Sequence, residues 1–206
     1  MQRKITILQS AGAHFSRFGF RGASLRDIAR DAGVSLTLLN HHFGSKADLL
    51  DAVIETQRPM MDERAAVLRR IVAAGAFTPG DLVHAWVQIA IDSASQPEGL
   101  RFLRLVARVV DDPAEEEVLA LREQLDDARL LFIDALMQCC PGASRRAATM
   151  ACVCVSGASM KVLTSGDRLW ALSGAERPCV VDGDQARLEQ FLVAGIEAAL
   201  GASRPA

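Results

Sequence analysis

The sequence predicts an all-α protein, and three observations support this prediction. Apolar residues recur every three or four positions through most of the chain, which is helical spacing. Alanine and leucine are abundant among the 206 residues, whereas aromatic residues make up only 5%. Four prolines mark or precede the starts of apolar-periodic segments: Pro79, Pro97, Pro113 and Pro141. Half of the residues are apolar, so the chain can bury a core in one or two domains.

The first predicted helix spans residues 3–18 and ends at Gly19. We interpret His14 as a surface residue of this helix, with no functional role. The helix should support the elements that follow it. Its predicted inner stripe consists of Ile5, Leu8, Gly12, Phe15 and Phe18.

Residues 24–46 predict two short helices joined by a tight turn. Ser24 is a suitable N-cap for the first helix and Ser35 for the second. Gly33 stands between them, where the chain must take a left-handed conformation. On the second helix Leu39 and Phe43 should face inward. This is a helix-turn-helix unit, whose second helix enters the major groove of DNA.

This region resembles the DNA-binding domain of TetR-type transcriptional regulators, over about the first quarter of the chain. That family usually has a tyrosine where this chain has Asn40, and the chain contains no tyrosine. The phosphate contact usually made by that phenol therefore cannot be carried over. The matching residues are Phe15, Gly19, Ile28, Ala29, Ala32, Gly33, Val34, Ser35, Leu39, His42, Phe43, Ser45, Lys46 and Leu49.

The helix-turn-helix geometry and the resemblance together predict which residues contact DNA. Side chains that point away from the inner face of the second helix should meet the groove, and Lys46 should meet a phosphate. The predicted DNA-binding residues are Arg26, Leu36, Thr37, Asn40, His41, His42 and Lys46.

Charge is unevenly distributed along the chain. The first 50 residues hold seven basic and three acidic residues, although the whole chain has a net charge of −2. A basic N-terminal region on an acidic remainder fits DNA contact by that region alone. Ordinary surface charge is the alternative explanation.

The rest of the chain predicts a connecting helix and a helical body. Ser45 should cap a long helix that begins after Lys46 and is kinked or broken at Pro59. Further helices are predicted at about 79–95, 98–110, 114–138, 143–165 and 184–201, with a loop at 166–183. We therefore predict a DNA-binding domain at 1–46 and an effector-binding and dimerisation domain at 47–206.

Two groups of body residues are candidates for binding. The resemblance implies a small-molecule effector site in the body, although plain core packing explains each residue as well. The candidate effector residues are Met60, Trp86, Phe102, Leu105, Val106, Phe132, Met150 and Trp170. Small and apolar stripes on the last two helices predict a dimer surface or, alternatively, intrachain core. These candidates are Ala151, Ala158, Val162, Leu188, Leu192, Gly195 and Ile196.

No catalytic motif and no metal-binding pattern occurs in the sequence, so we expect no catalytic residues, no metal and no cofactor. The five cysteines lack zinc-ligand spacing and are interpreted as small apolar residues. The amphipathic start of the chain is not a signal peptide, which favours the cytoplasm.

These predictions describe a cytoplasmic, homodimeric transcriptional regulator, most simply a repressor. It would bind a palindromic double-stranded operator and would be released by a small, largely apolar effector. The alternatives are a DNA-binding protein without effector control and, with less support, an enzyme that carries a DNA-binding region.

Overall fold

The computed structural model describes residues 2–109, 119–165, 171, 172, 174 and 184–201. Within these ranges the chain forms ten helices and no strand, which confirms the predicted all-α class. The helices are α1 Gln2–Gly22, α2 Leu25–Asp31, α3 Leu36–Phe43, α4 Lys46–Glu55, α5 Arg58–Ala73, α6 Pro79–Ala94, α7 Pro97–Val109, α8 Leu119–Cys139, α9 Arg145–Thr164 and α10 Asp184–Leu200.

The predicted helices of the body agree with these bounds to within a few residues. The predicted start of α8, near residue 114, lies outside the described part of the chain. The helix that begins at Lys46 is broken near Pro59 and not merely kinked, which is one of the two predicted outcomes. α4 ends at Glu55, and Pro59 occupies the second position of α5, where its missing N–H leaves no hydrogen bond unmade.

The chain divides into two compact units. The first unit contains Met1–Pro59 and Ala94–Gln124, and the second contains Met60–Ser93 and Leu125–Ala206. The first unit therefore combines the helix-turn-helix with α7, a helix from much later in the sequence.

The first unit is organised around α1, which packs on α2, α4 and α7. Ile7, Ala11 and Phe15 on α1 have no exposed surface. Phe15 confirms the predicted inner stripe, whereas Ile5 and Phe18 are 44% and 46% exposed. The fully buried residues of α1 therefore lie in its central turns, whereas both ends of the predicted inner stripe are exposed.

Two polar contacts hold α2 against α1. Ser10 Oγ donates to the Ile28 carbonyl at 3.0 Å, and His14 Nε2 lies 2.7 Å from Asp31 Oδ2. The surface interpretation of His14 was wrong, because only 12% of its side chain is exposed. Its hydrogen bond is the largest cause that lowers the pKa of Asp31, with the charge of Arg30 adding to it.

The second unit is built from α5, α6, α8, α9 and α10. Among the helices of the described ranges, only α9 is long and apolar enough to cross a membrane by length and composition. Residues of α9 are nevertheless part of the core of this unit. Large buried residues of the core include Leu68, Leu82, Trp86, Phe132, Leu136, Val155, Leu192 and Ile196.

Gly19 interrupts α1 with a φ of 71° and a ψ of 178°, so the helix bends and continues to Gly22. A Cβ there would lie 3.7 Å from Arg108 Cδ, which is ordinary contact, so space does not require glycine. The backbone conformation does, because side chains other than glycine rarely adopt it.

We predict that Gly19→Ala lowers the free energy of unfolding by about 1–3 kcal/mol, the cost of a backbone conformation that is almost restricted to glycine. Gly12→Ala is the matched control within regular α1, where the new Cβ would lie 3.7 Å from Val53 Cγ1. It should stabilise the protein by up to about 1 kcal/mol. Urea unfolding followed by circular dichroism measures both, and equal effects of the two substitutions would contradict the assignment.

Candidate nucleic-acid interface

The turn and both flanking caps of α3 are built from local hydrogen bonds. Gly33 takes a φ of 66° between α2 and α3, as the sequence predicts. The Ser35 hydroxyl accepts from the Leu38 N–H at 3.1 Å and caps α3. Ser24 occupies the N-cap position of α2, but its side chain makes no capping hydrogen bond. The helix-turn-helix is therefore anchored mainly at the start of α3.

The following helix, α4, begins with a complete capping box. The Ser45 hydroxyl accepts from the Asp48 N–H at 3.1 Å, and the Ser45 N–H donates to Asp48 Oδ2 at 3.0 Å. Gly44, with a φ of 71°, makes the sharp connection between α3 and this cap. The two ends of α3 are thus both held by short polar motifs.

The inner face of α3 fixes which side chains remain outside. Leu39 is 1% exposed and Phe43 is 7% exposed, so both are core residues as predicted. The side chains of Thr37, Asn40, His41 and His42 are exposed, and Leu36 is half-buried. The predicted groove-facing residues therefore form one polar surface of a helix whose opposite surface is anchored.

Arg26 and Arg30 lie one turn apart on α2 but differ in their electrostatic surroundings. Arg30 Nη1 lies 2.6 Å from Asp27 Oδ1, and its Nε lies 3.4 Å from Asp31 Oδ1. No carboxylate of the described residues lies within ion-pair distance of Arg26, which is exposed. The charge of Arg26 is therefore the more available of the two for a phosphate or a base.

Lys46 is half-buried, and its ammonium group is engaged within the first unit. Its Nζ donates to the Arg21 carbonyl at 3.2 Å and lies 4.7 Å from the centroid of the Phe20 ring. Lys46 thus connects the end of α1 to the start of α4. An ammonium group has three N–H donors, so this contact is compatible with an additional phosphate contact.

The predicted effector residues are divided between the two units. Trp86 and Phe132 form an edge-to-face pair in the second unit, with ring centroids 5.1 Å apart. Phe102, Leu105 and Val106 are buried in the first unit instead. Met60 is half-buried, Met150 is 59% exposed, and Trp170 lies outside the described residues.

Phe102 and Leu105 line a cavity of about 280 Å³ within the first unit, between α1, α4 and α7. Its wall is mostly apolar and includes Ile5, Leu8 and Val53. No sequence pattern indicated this cavity, because its walls come from helices far apart in the chain.

The predicted dimer residues also have different environments. Ala151, Leu192 and Ile196 are buried within the chain, where α9 packs on α10. Ala158, Val162 and Leu188 are half-buried, and Gly195 is exposed. Two large apolar residues that sequence reasoning missed are exposed on the same two helices, Val153 at 59% and Phe191 at 73%. Met150, a predicted effector residue, is exposed beside Val153 on α9 at 59%.

The cysteines form no metal site with the described acidic and histidine residues. Cys140 and Cys152 are buried, Cys139 is half-buried and Cys154 is exposed, while Cys179 lies outside the described ranges. Burial, and then the neighbouring Cys140, raises the pKa of the Cys139 thiol to about 12. A thiol with such a pKa is a poor nucleophile and a poor metal ligand at neutral pH.

Two protein families match the chain. Residues 7–53 match the family described as bacterial regulatory proteins, tetR family, and residues 84–195 match the tetracyclin repressor-like C-terminal domain. The second match covers more than half of the chain and includes most of α6, all of α7, α8 and α9, and the larger part of α10.

Individual relatives agree with these families. The HTH-type transcriptional repressor KstR2 of Rhodococcus jostii is 36% identical over 73 residues, which cover 35% of this chain and 34% of KstR2. The HTH-type transcriptional regulator BetI of Agrobacterium fabrum is 31% identical over 124 residues, covering 52% of this chain and 58% of BetI. The chain thus covers less than two thirds of either relative.

Among solved structures, AmtR of Mycobacterium smegmatis superimposes with a TM-score of 0.62. The alignment covers 97% of this chain and 94% of AmtR at 18% sequence identity. At that identity the similarity shows that the two proteins share a fold.

We predict that Arg26→Ala weakens binding to a selected operator by about 1–3 kcal/mol and relaxes the preference at one base position, as loss of a base contact would. Lys46→Ala should weaken binding to all sequences alike and reduce the salt slope by about one. Fluorescence anisotropy with selected and scrambled duplexes at several salt concentrations measures both effects.

Arg30→Ala is the matched control for Arg26→Ala. It removes the same charge one helical turn away, but from an arginine that is already paired with two aspartates. It should leave the base preference unchanged. A parent-like affinity of Arg26→Ala and Lys46→Ala would refute this placement of the DNA.

Proposed function

The chain belongs to the TetR family of bacterial regulatory proteins, and from this we propose that it is a ligand-responsive repressor that binds a palindromic operator as a homodimer. The DNA-binding, regulatory character follows from the family. The homodimer, the palindrome, the sign of regulation and the effector are our proposal. Residence in the cytoplasm, where the chromosome lies, belongs to it as well.

The single observation that carries this proposal is the construction of α3. Its apolar side is locked by Leu39 and Phe43, both its ends are capped, and its polar side is exposed. A recognition helix needs this arrangement, because base contacts require side chains held at a fixed depth and register. Basic residues on α1 and α2, among them Arg3, Lys4 and Arg26, supply charge for the phosphates.

Exposed apolar area on α9 and α10 supports the homodimer. Met150, Val153 and Phe191 present large side chains to solvent on two helices that pack together. Met150 and Val153 lie on one side of α9, since they are three residues apart, and exposed apolar surface of this kind is typical of an interaction site. A second copy of the chain offers the same surface. A two-fold symmetric dimer presents two α3 helices, which match two half-sites of a palindrome.

Effector control is supported by two features of the family's C-terminal region. The Trp86–Phe132 pair gives the interior of the second unit an aromatic surface on which an apolar molecule can pack. In the first unit α7 is tied to α1, since Arg108 Nη1 donates to the Arg17 carbonyl at 2.6 Å. A ligand that moved the short α6–α7 connection would therefore displace the helix that supports the helix-turn-helix.

Repression is the proposed sign of regulation. The relative KstR2 is named a transcriptional repressor, and BetI is named a transcriptional regulator. An effector that lowers operator affinity releases such a protein from DNA. In this arrangement the effector and the operator bind different conformations of one molecule.

Gly195→Leu tests the dimer. A Cβ at residue 195 meets no atom within 4 Å in this chain, so the single subunit accommodates a larger side chain. Leucine also favours a helix over glycine by roughly 1 kcal/mol. We predict that the variant stays folded, sediments as a monomer at micromolar concentration and loses operator affinity.

Ala186→Leu is the matched control, since residue 186 is exposed on the opposite side of α10. It should leave the dimer intact. The homodimer proposal would be contradicted if the parent protein itself sedimented as a monomer at micromolar concentration.

Trp86→Ala and Phe102→Ala locate the effector site, because these buried residues belong to different units. We predict that apolar acids, alcohols and amides include a compound that dissociates the protein–DNA complex. Trp86→Ala should weaken its binding while Phe102→Ala should not. Each substitution removes a large buried side chain and costs about 3–5 kcal/mol of stability, so the pair is matched.

Linkage makes the same experiment quantitative. The factor by which the compound weakens DNA binding must equal the factor by which DNA weakens compound binding, with a coupling of about 1–3 kcal/mol. Calorimetric titration with and without DNA gives both factors. A compound whose effect depends on Phe102 and not on Trp86 would indicate that the effector site is the cavity between α1, α4 and α7.

A further inference from the structure

The positively charged side chain of Arg64 lies in the interior of the second unit. It lies on α5 between the buried residues Met61, Ala65 and Leu68, and only 9% of its surface is exposed. Among the described residues it is the only charged side chain in the buried class. A buried guanidinium is costly unless an anion or several acceptors surround it, so its position calls for an explanation.

The partners of Arg64 among the described residues do not neutralise its charge. Its Cζ lies 4.8 Å from the centroid of the Trp86 ring, which is a cation–π contact. Its Nε is buried and donates to no acceptor, and no carboxylate of the described residues lies within ion-pair distance. Burial, and secondly the charge of Arg129, lowers the pKa of Arg64 to about 10, which still leaves the group protonated at neutral pH.

The surroundings of Arg64 belong to the core of the second unit. Arg64 lies against Trp86, and the core that contains Trp86 also contains Phe132 and Cys152. Burial raises the pKa of the Cys152 thiol, while the Ser156 hydroxyl one helical turn later and the charges of Arg129 and Arg64 lower it. The guanidinium therefore lies in the interior beside the aromatic pair of α6 and α8.

The chemistry of these donors selects a ligand class. A planar guanidinium matches a carboxylate, which it can bind through two N–H groups. One unpaired positive charge is balanced by one negative charge, which a carboxylate carries and a phosphate monoester exceeds. The aromatic surface of Trp86 and Phe132 suits an apolar group attached to that carboxylate.

We propose that the second unit binds an apolar monocarboxylate, with the carboxylate held by Arg64 and the apolar part packed against Trp86 and Phe132. This inference rests on the proposed function and names the chemical class of its effector. It also revises the expectation of a largely apolar effector, since one anionic group becomes the main determinant of affinity.

The test compares four probes of similar size: octanoate, 4-phenylbutyrate, 1-octanol and octylamine. Isothermal titration calorimetry on the full chain should show at least one acid binding about ten- to hundredfold more tightly than the alcohol, the value of a charge-assisted hydrogen bond. The amine should not bind, because its charge would meet that of Arg64. In Arg64→Met the acid and the alcohol should bind within about threefold of each other, since the charge-assisted bond is gone.

Arg64→Met replaces the buried charge by an apolar side chain of similar length, so it should unfold at or above the temperature of the parent. Arg70→Met is the matched control on α5. Arg70 is exposed and paired with Glu63 at 2.7 Å, so its removal should leave the preference for the acid unchanged.

Each outcome bears on the inference. A parent that binds neither acid better than the alcohol, or an Arg64→Met variant that keeps the preference, overturns it. Acid binding that depends on Arg64 but does not release DNA supports this site and contradicts effector control. Release of DNA by the alcohol, without any preference for the acids, contradicts this site and leaves the proposed function standing.

Discussion

The apolar face of α1 is the element on which the first unit depends. Ile7, Ala11 and Phe15 have no exposed surface, and α2, α4 and α7 all pack against the helix that carries them. A recognition helix of only eight residues, such as α3, cannot hold its own position, because an isolated helix of that length is unstable in water. Its orientation comes from α2 and α4, and theirs comes from α1.

The packing of α7 on α1 adds a helix from much later in the chain to this arrangement. Arg108 donates to the Arg17 carbonyl just before the bend at Gly19, and a cavity of about 280 Å³ remains between α1, α4 and α7. In the proposed regulator this contact would transmit a displacement of α7 to α1 and so to the helix-turn-helix. Such coupling requires that the effector and the operator favour different positions of α7.

The second unit contrasts an apolar core with one unsatisfied charge. Most of its interior follows the usual preference for aliphatic and aromatic side chains, whereas Arg64 is buried against Trp86 without a counter-ion from the described part of the chain. Natural proteins retain such unfavourable groups mostly at functional sites. The location of Arg64 beside the Trp86–Phe132 pair therefore directs attention to this region.

The sequence by itself determined the helical class, nearly all helix bounds, the turn at Gly33 and the caps at Ser35 and Ser45. These features depend on residues within about one helical turn of each other, and such local rules can be read from spacing. Which residues contact DNA stays a prediction from the same pattern. Only the tertiary structure decided that His14 is mostly buried, that Phe102 and Trp86 belong to different units, and that Arg64 is enclosed while Met150 and Phe191 are exposed. Periodicity shows that a helix has two sides, but the burial of either side depends on partners distant in the chain, and only the folded structure identifies those partners.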